Sequence, residues 1–296
     1  MHVVLLSGGS GKRLWPLSNE LRSKQYVKCI REEKGNSICS MVQRVWKQID
    51  AAHLGEKSII TASTGQVEII RSQLGNVNIA VEPERRDTFP AIALAAAYLR
   101  DKKHFPLDEA IVICPVDPYV DNDYFESLEE LGKRATQSEA NLVLMGIEPT
   151  YPSAKYGYII PESRENISSV SMFKEKPTED VAQSYIAQGA LWNGGVFALR
   201  LGYVLERAHQ LIDFTDYQDL FDKYETLQKI SFDYAVVEHE EKIEVMRFSG
   251  MWKDLGTWNT LTEAMDSRNV GQALFSETCE NVHVVNELNL PVLCMG

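Results

Sequence analysis

Ser7-Gly8-Gly9-Ser10-Gly11-Lys12-Arg13 is the stretch whose residue types could do chemistry. Glycines accept positive φ and let a ligand approach the backbone closely. Successive N–H groups in such a loop can form a concavity that binds anions. From Lys12 to Lys28 the basic residues are Lys12, Arg13, Arg22, Lys24 and Lys28, against the single acid Glu20. The chain as a whole carries a net charge of −12, so this local reversal of sign is informative. A glycine loop followed by cations suits a polyphosphate. Two commoner phosphate loops are excluded by spacing. The Walker loop needs Ser or Thr after Gly-Lys, and Arg13 stands there; it also needs a glycine where Leu6 is found. The dinucleotide fingerprint needs a third glycine where Leu14 stands.

The elements that must position this loop read as follows. His2–Leu6 is a short branched apolar run, a buried strand leading into the loop. Met41–Ile49 predicts a helix, 58–62 a strand, 66–74 a helix and 77–81 a strand. Ala91–Leu99 predicts a helix opened by Pro90 in its first turn, with Thr88 as a candidate cap. A strand over 110–115, a helix over 124–137 and a strand over 140–147 complete the alternation. Such alternation predicts an α/β, Rossmann-like, mostly parallel sheet flanked by helices. Ligands of such sheets sit outside the carboxyl ends of the strands. The glycine loop, Glu82 and Asp117 all follow strands and should converge there. After Pro149 come shorter strands at 156–161, 170–173 and 196–199, a helix over 201–211, a strand over 243–248 and a helix over 258–265. These predict a mixed extension of the sheet. No internal repeat or low-complexity segment is visible.

A length of 296 residues suggests one large or two small domains, and 44% hydrophobic residues are ample for a core. The acidic balance argues against a broad nucleic-acid surface. No apolar run approaches the roughly eighteen residues of a membrane span, and no signal peptide is apparent. Five scattered cysteines without Cys-x-x-Cys spacing suit reduced, cytoplasmic thiols. Six scattered histidines form no metal motif.

Gly8-Gly9-Ser10-Gly11-Lys12-Arg13-Leu14-Trp15-Pro16-Leu17-Ser18, with Ser23-Lys24-Gln25, resembles the sugar-nucleotidyltransferase signature Gly-Gly-x-Gly-Thr/Ser-Arg-Leu-x-Pro-Leu-Thr/Ser ending in Pro-Lys. Trp15 and the Lys-Gln pair are similar to the mannose-1-phosphate guanylyltransferase branch. Lys12 replaces a hydroxyl residue and Ser23 a proline. Glu82-Pro83-Glu84-Arg85-Arg86-Asp87-Thr88-Phe89-Pro90-Ala91-Ile92-Ala93 resembles Glu-Pro-x-x-Arg-Asn-Thr-Ala-Pro-Ala-Ile-Ala, with Asp87 replacing Asn. Pro115-Val116-Asp117-Pro118 resembles Pro-Ser-Asp-His, and Trp252-Lys253-Asp254-Leu255-Gly256-Thr257-Trp258 resembles Trp-x-Asp-x-Gly-Thr/Ser-Trp. Tyr156-Gly157-Tyr158-Ile159, Phe173-Lys174-Glu175-Lys176-Pro177 and Trp192-Asn193-Gly194-Gly195-Val196-Phe197 resemble three further family motifs in the family's order.

The resemblance implies the nucleotide-diphospho-sugar transferase fold. It implies a catalytic part over 1–265 and a β-rich tail over 266–296, which in the family continues into β-helical coils. The implied reaction is transfer of GMP from GTP to mannose 1-phosphate with release of pyrophosphate, assisted by Mg2+. Arg13, Lys24 and Asp117 would be catalytic. Ser7, Gly8, Gly9, Gly11, Lys12, Glu82, Arg86, Asp87 and Thr88 would bind the nucleotide, with Glu82 accepting from guanine. Gly157, Glu175, Lys176 and Asn193 would bind the sugar phosphate, and Asp117 and Asp254 the metal. GTP and a sugar 1-phosphate are then the partners, neither nucleic acid nor membrane is one, and a homodimer stays open. Alternatives remain at this stage: another base or sugar, a weakly catalytic sugar-nucleotide-binding homologue, or a glycosyltransferase using Asp121-Asn122-Asp123 as its metal motif. Asp117-Pro118 is also an ordinary turn signal.

Overall fold

Val3, Val4 and Leu5 are fully buried in the first strand, β1 (His2–Leu6), as an apolar, branched run between two helix layers should be. The computed structural model describes residues 1–9, 12–32, 37–265 and 267–296, and of Lys12 the backbone alone. In chain order, β1 is followed by β2 (Lys28–Arg31), β3 (Ile38–Ser40), α1 (Met41–Ala51), β4 (Ser58–Ser63), α2 (Val67–Leu74), β5 (Ile79–Glu82), α3 (Thr88–Asp101) and β6 (Ala110–Pro115). Then come β7 (Pro118–Val120), α4 (Asn122–Gln137), β8 (Leu142–Ile147), β9 (Gly157–Pro161), β10 (Ile167–Lys174), α5 (Glu179–Ala187) and β11 (Leu191–Arg200). Next come α6 (Leu201–Leu211), α7 (Tyr217–Lys223), α8 (Phe232–Ala235), β12 (Ile243–Phe248), β13 (Trp252–Asp254) and α9 (Trp258–Glu263).

Among the described residues the main sheet runs β5-β4-β1-β6-β11-β8-β12-β10-β9. The first four strands are parallel, as the alternation predicts. β11 then enters antiparallel between β6 and β8, so the expected parallel run is interrupted at its centre by a strand from the second half. The first residues of β11 also pair with β9, and its last with β6. A register shift between Asn193 and Phe197, with Gly195 at φ 75°, lets one strand serve both neighbours. A separate ribbon pairs β7 with β13 and sets Asp254 opposite Pro118.

Alternate residues of β1 and β6 feed opposite layers. Val3, Leu5, Val112 and Cys114 pack with α1 and α4 through Val45, Ile49, Phe125 and Leu128. Val4, Ile111 and Ile113 pack with α3 and α6 through Ile92, Leu94, Val204 and Leu205. Helix α3 is buried from Phe89 to Ala97, and its alanines allow it to lie close against the strands. It starts at Thr88, earlier than its apolar pattern predicts, and Asp87 rather than Thr88 is the cap: the Asp87 carboxylate accepts from Thr88 N at 2.8 Å. In the tail, β14 (Asn269–Val270) pairs in parallel with β16 (Val284–Val285), and β15 (Ala273–Phe275) with β17 (Val292–Cys294). No helix is long and apolar enough to cross a membrane among the described residues.

Candidate active site

The parallel strands end in register: Leu6 lies beside Thr61 and Pro115, and Ser63 beside Glu82. Two cavities open at these ends. One, of about 500 Å³, is lined by Leu6, Gly8, Gly9, Glu82, Arg85 and Asp87 among others. The other, of about 290 Å³, is lined by Arg13, Pro115, Asp117, Glu175, Asn193 and Asp254 among others. Leu6 walls the first and its register partner Pro115 the second, so the cavities are neighbours across the end of the sheet.

Gly8 and Gly9 line the first cavity, as the loop reading requires. Gly11 and the side chain of Lys12 lie outside the described residues. Ser23, which replaces the family's proline, donates its hydroxyl to the Gly9 carbonyl at 2.7 Å and accepts from Gln66 Nε2 at 2.9 Å. A proline could do neither, so this departure ties the loop to the start of α2. Ser7 is not a ligand-facing residue. Its hydroxyl is bonded to Tyr26, its carbonyl accepts from Gln25 and its N–H donates to Thr61 O, all within the core.

Lys24, Asp117 and Asp254 come together although 230 residues separate the first from the last. Lys24 Nζ lies 3.0 Å from Asp117 Oδ2 and 3.3 Å from Asp254 Oδ1. Burial alone would lower the lysine pKa, but the two carboxylates outweigh it and hold the ammonium above its usual range. The β7–β13 ribbon brings the carboxylates together. At Gly256 a Cβ would fall 2.8 Å from Asp254 Oδ2 and 3.2 Å from Arg13 Nη1, so glycine lets carboxylate and guanidinium share that corner. Two carboxylate oxygens already converge on one cationic atom. That hard-oxygen donor pair fits a magnesium ion completing its shell from phosphate and water; no cluster of three protein ligands occurs among the described residues.

In the second cavity Gly157 is required sterically: a Cβ would meet Glu175 Oε2 at 2.4 Å and Phe173 Cζ at 3.0 Å. Glu175 accepts from Lys176 Nζ at 2.6 Å through Oε1. Its Oε2 and the Trp252 Nε1 are buried without a partner among the described residues. An orphaned acceptor and an orphaned donor in one cleft are complementary to a hydroxylated ligand. Asn193 is less available than its motif implies. Its Nδ2 donates to Asp233 Oδ1 at 2.6 Å and its Oδ1 accepts from Gly195 N at 3.0 Å. It therefore positions Asp233 and the bulge as much as it offers itself. Asp233, on α8, was missed from sequence; the signal was a lone carboxylate inside the apolar run Phe232–Val237. Burial and the neighbouring Glu175 charge push its carboxyl up to about 6, with the Asn193 bond opposing.

Glu82 is buried and accepts from Tyr224 Oη at 2.9 Å. Burial pushes its carboxyl up to about 7, against the opposing effects of the Tyr224 bond and the Arg85 charge. Thr88 lines the same cavity while its hydroxyl accepts from Phe232 N at 2.8 Å. Arg86 is turned away, held by Glu84 and the Glu225 carbonyl; Arg85, which the motif leaves unspecified, faces the cavity instead. Asp121-Asn122-Asp123 stands at the start of α4, with Asn122 Oδ1 accepting from Gln48, and lines neither cavity.

The family model described as Nucleotidyl transferase matches residues 2–269. The chain belongs to this family. Among curated relatives, the xanthan biosynthesis protein XanB of Xanthomonas campestris is 29% identical, over 95% of this chain and 63% of its own length. The mannose-1-phosphate guanylyltransferase ManC of Salmonella typhimurium is 28% identical, over 98% of this chain and 65% of its own length. The chain thus spans under two thirds of these relatives. A crystal structure described as mannose-1-phosphate geranyltransferase from Thermus thermophilus matches with a TM-score of 0.80 at 26% identity, over 100% of this chain and 89% of that one. Both cavities lie outside the carboxyl ends of the parallel strands, where sheets of this kind place their ligands.

Proposed function

We propose that this chain transfers GMP from GTP to mannose 1-phosphate, releasing pyrophosphate. The observation that carries the reading is the pair of adjoining cavities at the ends of β1 and β6, with Arg13, Asp117 and Asp254 lining the second and Lys24 paired with its two carboxylates. The guanylyltransferase name of the Salmonella relative supports the choice of base and sugar.

A phosphate oxygen of the sugar phosphate attacks the α-phosphorus, the new P–O bond forms, and the bond to the bridging oxygen of pyrophosphate breaks. No nucleophilic side chain is needed; the residues align two anions and neutralise charge as it builds. Gly8 and Gly9 expose backbone to the triphosphate. Glu82 accepts from the base, Glu175 from sugar hydroxyls, and Lys176 and Lys155, which both line the second cavity, face the sugar phosphate. Arg13 and Lys24 balance developing negative charge. Asp117 and Asp254 would hold magnesium, which supplies polarisation of phosphate oxygens when bound. A pyrophosphate-release screen of the four nucleoside triphosphates against a panel of sugar 1-phosphates tests this: GTP with mannose 1-phosphate should give the highest kcat/KM, and a different best pair overturns the reading.

A further inference from the structure

The cavity that holds Glu82 carries a second charge that the family motifs leave unassigned. Arg85 lines it, three residues after Glu82. Its Nη2 donates to the backbone carbonyl of Glu20, which anchors one edge of the guanidinium. Of the five donors a guanidinium carries, the others have no acceptor among the described residues. The Glu82 carboxylate and the Arg85 guanidinium influence one another electrostatically, yet no ion pair joins them. Asp87 and Lys229 also face the cavity; the Asp87 carboxylate is engaged by Thr88 N.

An acceptor and a donor that face one cavity of about 500 Å³ without pairing leave room for a ligand edge of opposite pattern. That edge must offer donors to Glu82 and an acceptor to Arg85. Guanine has it, with N2 and N1 as donors and O6 as acceptor. Adenine would set its amino group against the guanidinium and its bare N1 against the carboxylate. Uracil would place a carbonyl where Glu82 expects a second donor. A site whose buried polar groups are left unpaired rejects such ligands strongly.

We propose that Arg85 reads O6 of guanine while Glu82 accepts from N1 and N2, so that the pair recognises the whole Watson–Crick edge. This rests on the guanylyl reading above. The test is kcat/KM for GTP, ITP and ATP with wild type, Arg85→Ala and Arg85→Gln, each checked for its melting temperature. ITP keeps O6 and N1–H but lacks the 2-amino group. Arg85→Ala should lower kcat/KM for GTP and ITP together by roughly tenfold to a hundredfold, as loss of a donor to guanine O6 does elsewhere. The loss should lie in KM, with ATP unchanged or improved, so that the GTP/ATP ratio narrows. Arg85→Gln, which keeps an amide donor, should fall between; if the alanine variant does not fold, the ratio in the glutamine variant decides. An equal loss on all three nucleotides, or an unchanged GTP/ATP ratio, overturns the proposal while the guanylyl reading stands. A wild type that does not favour GTP over ATP overturns both.

Discussion

Arg13 is exposed, lines the second cavity and lies close to Asp254 across Gly256, so its charge is available to a ligand rather than to the core. Arg13→Ala is expected to cost roughly 10²–10³ in kcat, the usual loss for one donor to transition-state charge. The melting temperature should stay within the range typical of surface changes. Near-normal turnover of the variant with saturating GTP, magnesium and mannose 1-phosphate would remove Arg13 from the mechanism. The carboxylates call for a different measurement. Asp117→Asn and Asp254→Asn should each raise the magnesium concentration needed for half-maximal rate while circular dichroism stays native. Full wild-type activity in excess EDTA would defeat the two-carboxylate metal site.

At the scale of the element, the start of α3 holds the most informative backbone. Asp87 has φ 70° and ψ −176°, a region essentially reserved for glycine, and caps the helix from there. Such a conformation costs on the order of 1–3 kcal/mol. Glycine at a cap loses only a few tenths of a kcal/mol, and its extra freedom in the unfolded chain costs roughly 0.4–1 kcal/mol. Asp87→Gly should therefore stabilise the protein by about 1 kcal/mol, read as a melting temperature a few degrees higher; a lower melting temperature refutes the strain. Asp87→Asn keeps an oxygen for Thr88 N, so stability should change little. If the carboxylate serves the cap alone, the GTP/ATP ratio of that variant stays at the wild-type value.

At the scale of the whole molecule, two buried carboxyls among the described residues are pushed up, Glu82 to about 7 and Asp233 to about 6, each first because burial disfavours the charged form. A raised carboxyl binds protons in the folded state that the unfolded chain has already released. Stability from these groups is therefore fully present below the unfolded values and is lost as pH rises through about 6 and then about 7. The melting temperature of the ligand-free protein should fall between about pH 5 and pH 7.5 to the extent that these groups dominate. Glu82→Gln should flatten the upper part of that slope, and an unchanged slope would show that Glu82 titrates normally. Base recognition runs in the opposite sense, because the acceptor must be ionised. KM for GTP should rise as pH falls below about 7.

What the sequence determined by itself was local. The branched run of β1, the alternation of strands and helices through β6, and the glycine loop with its cations follow from side-chain periodicity and backbone sterics, which act within a few residues. The motifs around Glu82, Asp117, Glu175 and Asp254 were legible because their residues are contiguous. Tertiary structure decided the rest. The meeting of Lys24 with Asp117 and Asp254 depends on a ribbon between β7 and β13, which are 132 positions apart at the Trp252–Val120 pair and too short to announce themselves. The insertion of β11 beside β6 depends on a bulge that lets one strand serve two partners. The orientation of Arg85 into the cavity and of Arg86 away from it is set by carbonyls of Glu20 and Glu225, remote in sequence. Asp233 enters the site only because α8 packs under β11. Local pattern dictates which element forms, whereas the partners of a polar side chain are chosen by whichever remote groups the packed core brings within hydrogen-bond distance.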